Sequence, residues 1–415
     1  MRKWILWLMA VVLVVSFASL AQAASEEKKE EAIKNGLKWL ATQQKSQGYW
    51  DFGGNERAST AAALLAFTEQ YSKPAGWFGN DYKPVVDNAA KWLLTQTKNF
   101  QFPSANWWGF NGQGNGFEWY GGNRDRSTYE SGLVIPALAK YATLPWVGTN
   151  TVVTTTGLAY VDGKTYAQVI NLGLDSFVWG QRGPGNNYYG GWRYHPQWTS
   201  ADNSTAQWPA VAMLYGQAIT GYSVPSQTKT ALQAWINYIQ DKTSGGSGYD
   251  SPTYIVNEAK TGGLLIEMAL AGGGGDKSKA LDYLNKNWQN IANSTWDGNF
   301  GHPYAMWSIY KGLEVAIGLD NMTTITNLHP NPGDINNPNH GWNWWEDYCD
   351  WLVKNQNADG SWNGYSYWYG PLATSWNINI LNATQVPGPV VPIPGGVLLL
   401  GSGLLSLLRL RQKQR

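Results

Sequence analysis

Gly36-Leu-Lys-Trp-Leu-Ala-Thr-Gln-Gln44, Gly48-Tyr-Trp50 and Ala58-Ser-Thr-Ala-Ala-Ala-Leu-Leu-Ala-Phe67 follow one another near the start of the chain. The first run has apolar residues at spacings of three and four, the period of an amphipathic helix. The second is a glycine-aromatic turn. The third is small and apolar on most sides, as a buried helix must be. The same order returns near the end in Asp350-Trp-Leu-Val-Lys-Asn-Gln356, Asp359-Gly-Ser-Trp362 and a second apolar run through Leu381. One exposed helix, one turn and one buried helix make a unit.

Four further units lie between these two. Ala89 to Gln96 leads through Gly116 to Gly121 into Ser127 to Leu138, and Val169 to Trp179 leads through Gly190 to Tyr194 into Ser204 to Met213. Ala231 to Gln240 leads through Gly248 to Asp250 into Ala259 to Leu270, and Ala280 to Trp288 leads through Asp297 to Gly301 into Tyr304 to Ile317. No single hairpin of this kind hides its apolar face, so six stack side by side. Closing the row gives an all-α fold, an (α/α)6 toroid of six helical hairpins. Its inner barrel of six helices stands inside an outer six.

The Trp-Leu-x-x-x-Gln and Gly-x-Trp elements of these units resemble the QW motifs of the squalene cyclase and protein prenyltransferase repeat superfamily, over most of residues 33 to 383. The resemblance implies an α/α toroid in which Gln43, Gln44, Trp50, Gln356 and Trp362 are structural, tying outer-helix ends to neighbouring turns.

Both ends of the chain read as sorting segments. Arg2-Lys3, an apolar run from Trp4 to Leu20 and Ala21-Gln22-Ala23 have the three parts of a secretory signal peptide, assigned to residues 1–24. No cysteine follows the cleavage site, so no lipoprotein anchor is expected. The last segment, residues 386–415, joins a Val386-Pro-Gly-Pro-Val-Val-Pro-Ile-Pro stalk to a short apolar helix and a basic end from Arg409 to Arg415. It is similar to the PEP-CTERM signal in its Val-Pro-x-Pro variant. That likeness implies transient membrane anchoring, recognition by an exosortase-type processing protease, and release to the cell surface or exterior. An ordinary C-terminal anchor is the alternative, although a permanent span needs about 20 apolar residues.

The repeats therefore occupy residues 25–385. The two ends hold six of the 30 Lys and Arg and none of the 29 acids, leaving the body a net charge of −5. Such a body offers nothing to nucleic acid or anionic lipid. With Cys349 as the single cysteine, no intramolecular disulfide forms and the fold must hold by packing. The 25 Trp, 23 Tyr and 47 Gly mark a chain of aromatic contacts and glycine turns.

In toroids of the resembled type, the N-terminal ends of the inner helices project toward the central cavity. The candidates for ligand contact are Arg57, Arg126, Tyr129, Glu130, Gln207, Trp208, Tyr254, Glu258, His302, Tyr304 and Trp307. A terpenoid cyclase of class II needs several acids together, so that one carboxyl stays protonated and the others stabilise the cation that follows. The corresponding stretch, Ser200-Ala-Asp-Asn-Ser-Thr205, holds one, Asp202. It is the candidate catalytic acid, but the better reading is that Asp202, Asn203 or Ser204 caps the helix that follows. A zinc-dependent transferase needs Asp, Cys and His in metal-ligand spacing; His195, His302, His329, His340 and Cys349 show none, and neither metal nor cofactor is expected.

Three aromatic, amide-rich stretches, Asn106 to Gly121, Asn186 to His195 and Asn363 to Tyr369, suit neutral polyols, since rings stack on sugar faces while amides reach hydroxyls. Glycan cleavage needs two facing carboxylates, with Glu118, Asp125, Glu130 and Asp202 as the acids to consider. The expectation is an exported toroid that binds an uncharged or apolar ligand. A squalene-type cyclase and a glycan-binding or glycan-cleaving protein are its alternatives. Long inserts at residues 100–125 and 144–164 either leave the cavity open or fill it.

Overall fold

The computed structural model describes residues 24–333 and 341–387. Among these residues it is helix-rich, with twelve α-helices that alternate in burial. The odd-numbered helices are α1 (Glu26–Gln43), α3 (Lys83–Thr95), α5 (Tyr166–Gly180), α7 (Ser226–Ile239), α9 (Lys277–Lys286) and α11 (Trp344–Lys354). Each buries one face: α1 turns Ala32, Ile33, Gly36, Leu37 and Leu40 inward. The even-numbered helices are α2 (Glu56–Tyr71), α4 (Ser127–Tyr141), α6 (Gln207–Thr220), α8 (Glu258–Ala271), α10 (Pro303–Ile317) and α12 (Gly370–Leu381). These are apolar nearly all round. Every residue of α2 except Glu56 and Tyr71 is buried.

The six inner helices touch in a cycle, α2 to α4 to α6 to α8 to α10 to α12 and back to α2. Small residues permit this. A Cβ on Gly312 of α10 would lie 2.3 Å from the Gly262 carbonyl oxygen of α8, so only glycine allows that approach. The ring axis is filled by the inner helices themselves, chiefly Trp208, Trp307 and Trp376. Trp208 stacks on Trp307 at 5.0 Å and on Trp376 at 6.3 Å between ring centroids.

A repeated clamp joins neighbouring units. Gln44 Nε2 donates to the Gly48 carbonyl of its own turn and to Val85 at the start of the next outer helix, at 3.0 and 2.9 Å. Gln181 does the same with Gly190 and Thr228, Gln240 with Gly245 and Asp276, and Gln356 with Gly360 and Ala32. The turn tryptophans complete it: Trp50 Nε1 donates to Leu40 O and Trp362 Nε1 to Leu352 O, each carbonyl near the end of the preceding outer helix. The tryptophan bonds satisfy carbonyls that a C-terminal helix end leaves free, while each glutamine ties its own turn to the N-terminal part of the next outer helix. Gln43 takes no part; its amide is exposed and reaches only the adjacent Thr42 hydroxyl.

The described residues depart from pure helix in one β-hairpin, β1 (Thr97–Gln101) antiparallel to β2 (Asn115–Trp119), with Thr97 opposite Trp119. It packs on α4 and α5. The first insert is thus drawn to the flank of the ring, where Phe102 stacks on Trp179 at 5.3 Å. The second insert also stays outside, closed by a bridge from Val152 to Thr165 and by Trp146, whose Nε1 donates to Asp87 on α3. Neither fills the cavity. The expected signal peptide and apolar tail lie outside the described residues, within which no helix is long and apolar enough to cross a membrane.

Candidate functional site

All six turns that lead into inner helices meet at one end of the ring and enclose a two-lobed mouth. The first lobe is a cavity of about 380 Å³, walled by Phe52 and Asn55 before α2, Arg126, Tyr129 and Glu130 at α4, Trp296 before α10, and Tyr367, Trp368 and Tyr369 before α12. Trp208 and Trp376 also line it. The second lobe, about 300 Å³, is lined by Tyr194, Tyr249, Tyr254, Ile255, Asn257 and Lys260. Tyr129, Ser204, Trp296 and Tyr304 line both. Each volume falls at the low end of the usual range for ligand pockets, about 300–1,000 Å³.

The rim is unusually apolar for a surface. Trp296 is 49 % exposed, Tyr254 54 %, Tyr367 65 % and Tyr369 52 %. Trp296 packs edge-on against Trp368 at 5.6 Å, and Trp368 stacks face to face on Tyr304 at 5.0 Å and 11°. The rings are thereby held in fixed orientation, while their outer faces remain open.

The predicted residues divide into those that face the mouth and those that build its walls. Tyr129, Glu130, Arg126, Trp208, Tyr254 and Tyr304 line a lobe. Glu130 is buried, and its Oε2 accepts from Arg57 Nε at 2.5 Å while Oε1 has no partner among the described residues. Burial raises its carboxyl to about 7, against the downward pull of Arg57. Arg57 is otherwise committed to Glu56, Gln96 and the Gly54 carbonyl, and does not face the mouth. Gln207 is fully buried and donates to the Tyr304 hydroxyl at 2.7 Å. Trp307 belongs to the axial stack. Glu258 accepts from Asn290 Nδ2 and Gly298 N, bracing the loop that presents Trp296. His302 caps α10: its Nδ1 accepts from Ala305 N while Nε2 meets the Thr295 carbonyl oxygen. Burial lowers its pKa to about 4, so it is neutral, and the Nδ1 acceptor requires the proton on Nε2.

Asp202 is fully buried and lines neither lobe. Its Oδ1 accepts from Thr205 N at 3.0 Å, Thr205 Oγ1 at 2.9 Å and Ser204 Oγ at 2.6 Å, which is how a side chain caps the turn opening α6. Its Oδ2 lies 3.5 Å from Arg193 Nε. Burial raises its pKa, and the Ser204, Arg193 and Thr205 contacts oppose that rise. A second buried carboxyl, Glu267 in the middle of α8, has neither oxygen bonded among the described residues, and burial holds it well above the usual carboxylate range.

Of the three aromatic stretches, residues 363–369 supply one wall of the first lobe and Tyr194 belongs to the second. Asn106 and Trp107 lie elsewhere, in a shallow hollow of about 420 Å³ with Trp179 and Arg182. The hairpin places them there. Phe52, Trp296 and Lys260 were not among the sequence candidates. Aromatic side chains in every glycine-rich turn were the available signal for the first two. Lys260, a cation in the first turn of a small-residue helix, gave none. Among the described residues no cluster of His, Cys, Asp and Glu would hold a metal ion.

The sequence matches no known protein family and no curated protein. Among solved structures, the chain is similar to a GH76 α-mannanase of Bacteroides thetaiotaomicron at 12 % identity and a TM-score of 0.49, covering 85 % of this chain and 95 % of that one. It is also similar to a type II terpene cyclase from Scytonema, at 14 % identity and 0.32, covering 86 % and 97 %. A protein from Actinoplanes matches at 12 % and 0.31, covering 86 % and 99 %. Likeness this slight carries no argument about activity, and the reading of the mouth rests on its own side chains.

Proposed function

We propose that this chain is a saccharide-binding toroid that holds neutral sugar units in its mouth without cleaving them. The observation that carries the reading is the convergence of exposed rings, Tyr254, Trp296, Tyr367 and Tyr369, on one cavity system. Contiguous exposed apolar surface marks an interaction site. Rigid aromatic faces match the C–H faces of pyranose rings, and the Asn55 amide and the exposed tyrosine hydroxyls offer hydrogen bonds to sugar hydroxyls.

Cleavage is disfavoured by the acids. Glu130 is the one carboxylate among the residues lining either lobe, and Arg57 already holds it. Hydrolysis by paired carboxylates needs a second one facing it across the bond. Cyclisation of a polyprenoid is disfavoured by the axial tryptophans, which occupy the space such a chain would fill, and by the capping bonds on Asp202. Export, anchoring by the tail and processing by an exosortase-type protease remain part of the proposal, on the sequence of the two ends alone.

Titrating the full chain with neutral manno- and gluco-hexasaccharides, followed by tryptophan fluorescence, tests it. Binding is expected, and Trp296→Ala should weaken it about tenfold, since an aromatic contact contributes roughly 0.5–1.5 kcal/mol beyond buried area. Absence of binding, or binding indifferent to Trp296, overturns the proposal. Shortened oligosaccharide after incubation refutes the non-cleaving part.

A further inference from the structure

Three lysines of the described chain are buried, and they differ in one respect. Lys29 pairs with Glu26 and Glu346, each at 2.7 to 2.8 Å. Lys311 donates to the Thr384 carbonyl oxygen and lies 3.6 Å from Glu314. Lys260, only 4 % exposed, has no hydrogen bond or ion pair among the described residues, and it lines the second lobe of the mouth. An ammonium largely withdrawn from water and left without a partner is disfavoured, because little replaces the hydration it has lost.

Two features of its position favour the neutral amine. Desolvation disfavours the charged form. Lys260 also stands in the first turn of α8, where the helix dipole places partial positive charge. Asp297, Asp202 and Glu258 act in the other direction, but each is already engaged: Asp297 with Asn257 and Ser294, Asp202 with Thr205, Glu258 with Asn290. Burial prevails, and the pKa falls to about 8. The lobe is open to solvent past Tyr254 and Ile255, which are 54 % and 39 % exposed.

We propose that Lys260 is a carbonyl-reactive amine, and that the second lobe captures a small neutral aldehyde, an open-chain aldose among them, as an imine on Nζ. The amine lone pair attacks the carbonyl carbon, and the carbonyl π pair takes up a proton to give a carbinolamine. Loss of that hydroxyl as water, with the remaining nitrogen proton, leaves the C=N bond. No oxidant or reductant is consumed. This is the chemistry a desolvated lysine in an aromatic pocket is suited to. It is independent of saccharide stacking in the first lobe, since capture needs only the aldehyde.

Brief treatment of the full chain with glyceraldehyde and cyanoborohydride near pH 7.5 reduces any imine to a stable secondary amine, located by peptide mass mapping. Lys260 should be labelled on the order of 100-fold faster than exposed lysines such as Lys38 and Lys98, because near pH 7.5 a pKa of about 8 leaves roughly 100 times more free amine than the reference lysine value of about 10.4. Lys260→Met should abolish the fast phase, and a thermal melt should show it folded. Should that variant fail to fold, relative labelling within the unaltered chain still decides. Labelling of Lys260 no faster than that of exposed lysines, or equal to that of Lys29 and Lys311, overturns the proposal. Saccharide binding without trapping refutes this inference alone, and trapping without saccharide binding refutes only the preceding one.

Discussion

The two ends of the ring are built from the same six inner helices and solve opposite problems. At the N-terminal end the turns carry aromatic side chains that stay exposed and leave Lys260 unpaired beside a cavity. At the C-terminal end the buried lysine has partners among the described residues. Lys140 and Glu69 lie 3.2 Å apart, and Lys311 faces Glu314. Residues 384–386 cross this end as a strap. Tyr310 donates to the Thr384 carbonyl at 2.8 Å, Tyr215 to that of Gln385 at 3.3 Å, and Val386 N to Glu314 Oε1 at 3.2 Å. Function in such a ring follows from which end is left unsatisfied, a property of the loops and of the first turns of the inner helices.

The most severe test of that contrast exchanges each buried lysine for methionine. Lys311→Met leaves Glu314 and the Thr384 carbonyl without their cation, and should cost about 3–5 kcal/mol in denaturant unfolding. Lys260→Met removes an amine that makes no hydrogen bond or ion pair among the described residues, and should change stability by less than about 1 kcal/mol. Equal losses would break the comparison, because the mouth would then be as structurally committed as the sealed end.

Acid titration of His302 gives a smaller effect, confined to the mouth. Its folded pKa of about 4 lies below the ordinary 6.5, so the folded state binds fewer protons than the unfolded one as pH falls between them. The contribution is fully present above pH 6.5 and is lost as pH drops toward 4, by up to about 1.4 kcal/mol per pH unit. Melting the chain beside His302→Asn, which keeps a capping side chain, should show the shallower acid slope in the variant. Parallel slopes would mean that His302 is not the acid-sensitive group of this end.

Much of the ring was legible because its signal is periodic. Apolar spacing, Gln44 and Gln356, and the turn tryptophans each repeat, and repetition reports on a neighbour far away in sequence. The mouth was legible in part. Tyr129, Glu130, Trp208 and Tyr304 sit in the first turns of inner helices, which the resemblance to toroids aims at the cavity, whereas Trp296 and Phe52 sit in loops whose aim depends on tertiary contacts. Residues 106–121 are aromatic and amide-rich like residues 363–369, yet the pairing of β1 with β2 carries Asn106 and Trp107 to the outer flank. Lys260 was illegible for a different reason: a lysine's lack of a partner is a property of the assembled structure.

The smallest expected effect concerns the strap. A chain ending at Gln385 loses the Val386 bond to Glu314 and brings a new terminal carboxylate beside it, whereas one ending at Pro387 keeps the bond. The shorter chain should be less stable by about 1 kcal/mol in paired urea melts. Indistinguishable midpoints would show that the strap seals the ring through Thr384 and Gln385 alone.

The cycle of inner helices also sets an order in time. Helix α1 packs on α12, with a Gly36 Cβ position only 2.8 Å from Ile378, and Gln356 reaches back to the Ala32 carbonyl. These partners stand 324 residues apart at the Gln356 clamp. At synthesis rates of roughly 5–20 residues per second, the first helix waits on the order of tens of seconds for the last. Throughout that interval the apolar stripe of Ala32, Ile33, Leu37 and Leu40 has only its own hairpin partner α2, and the face that α11 and α12 will cover stays open until the final hairpin closes the circle.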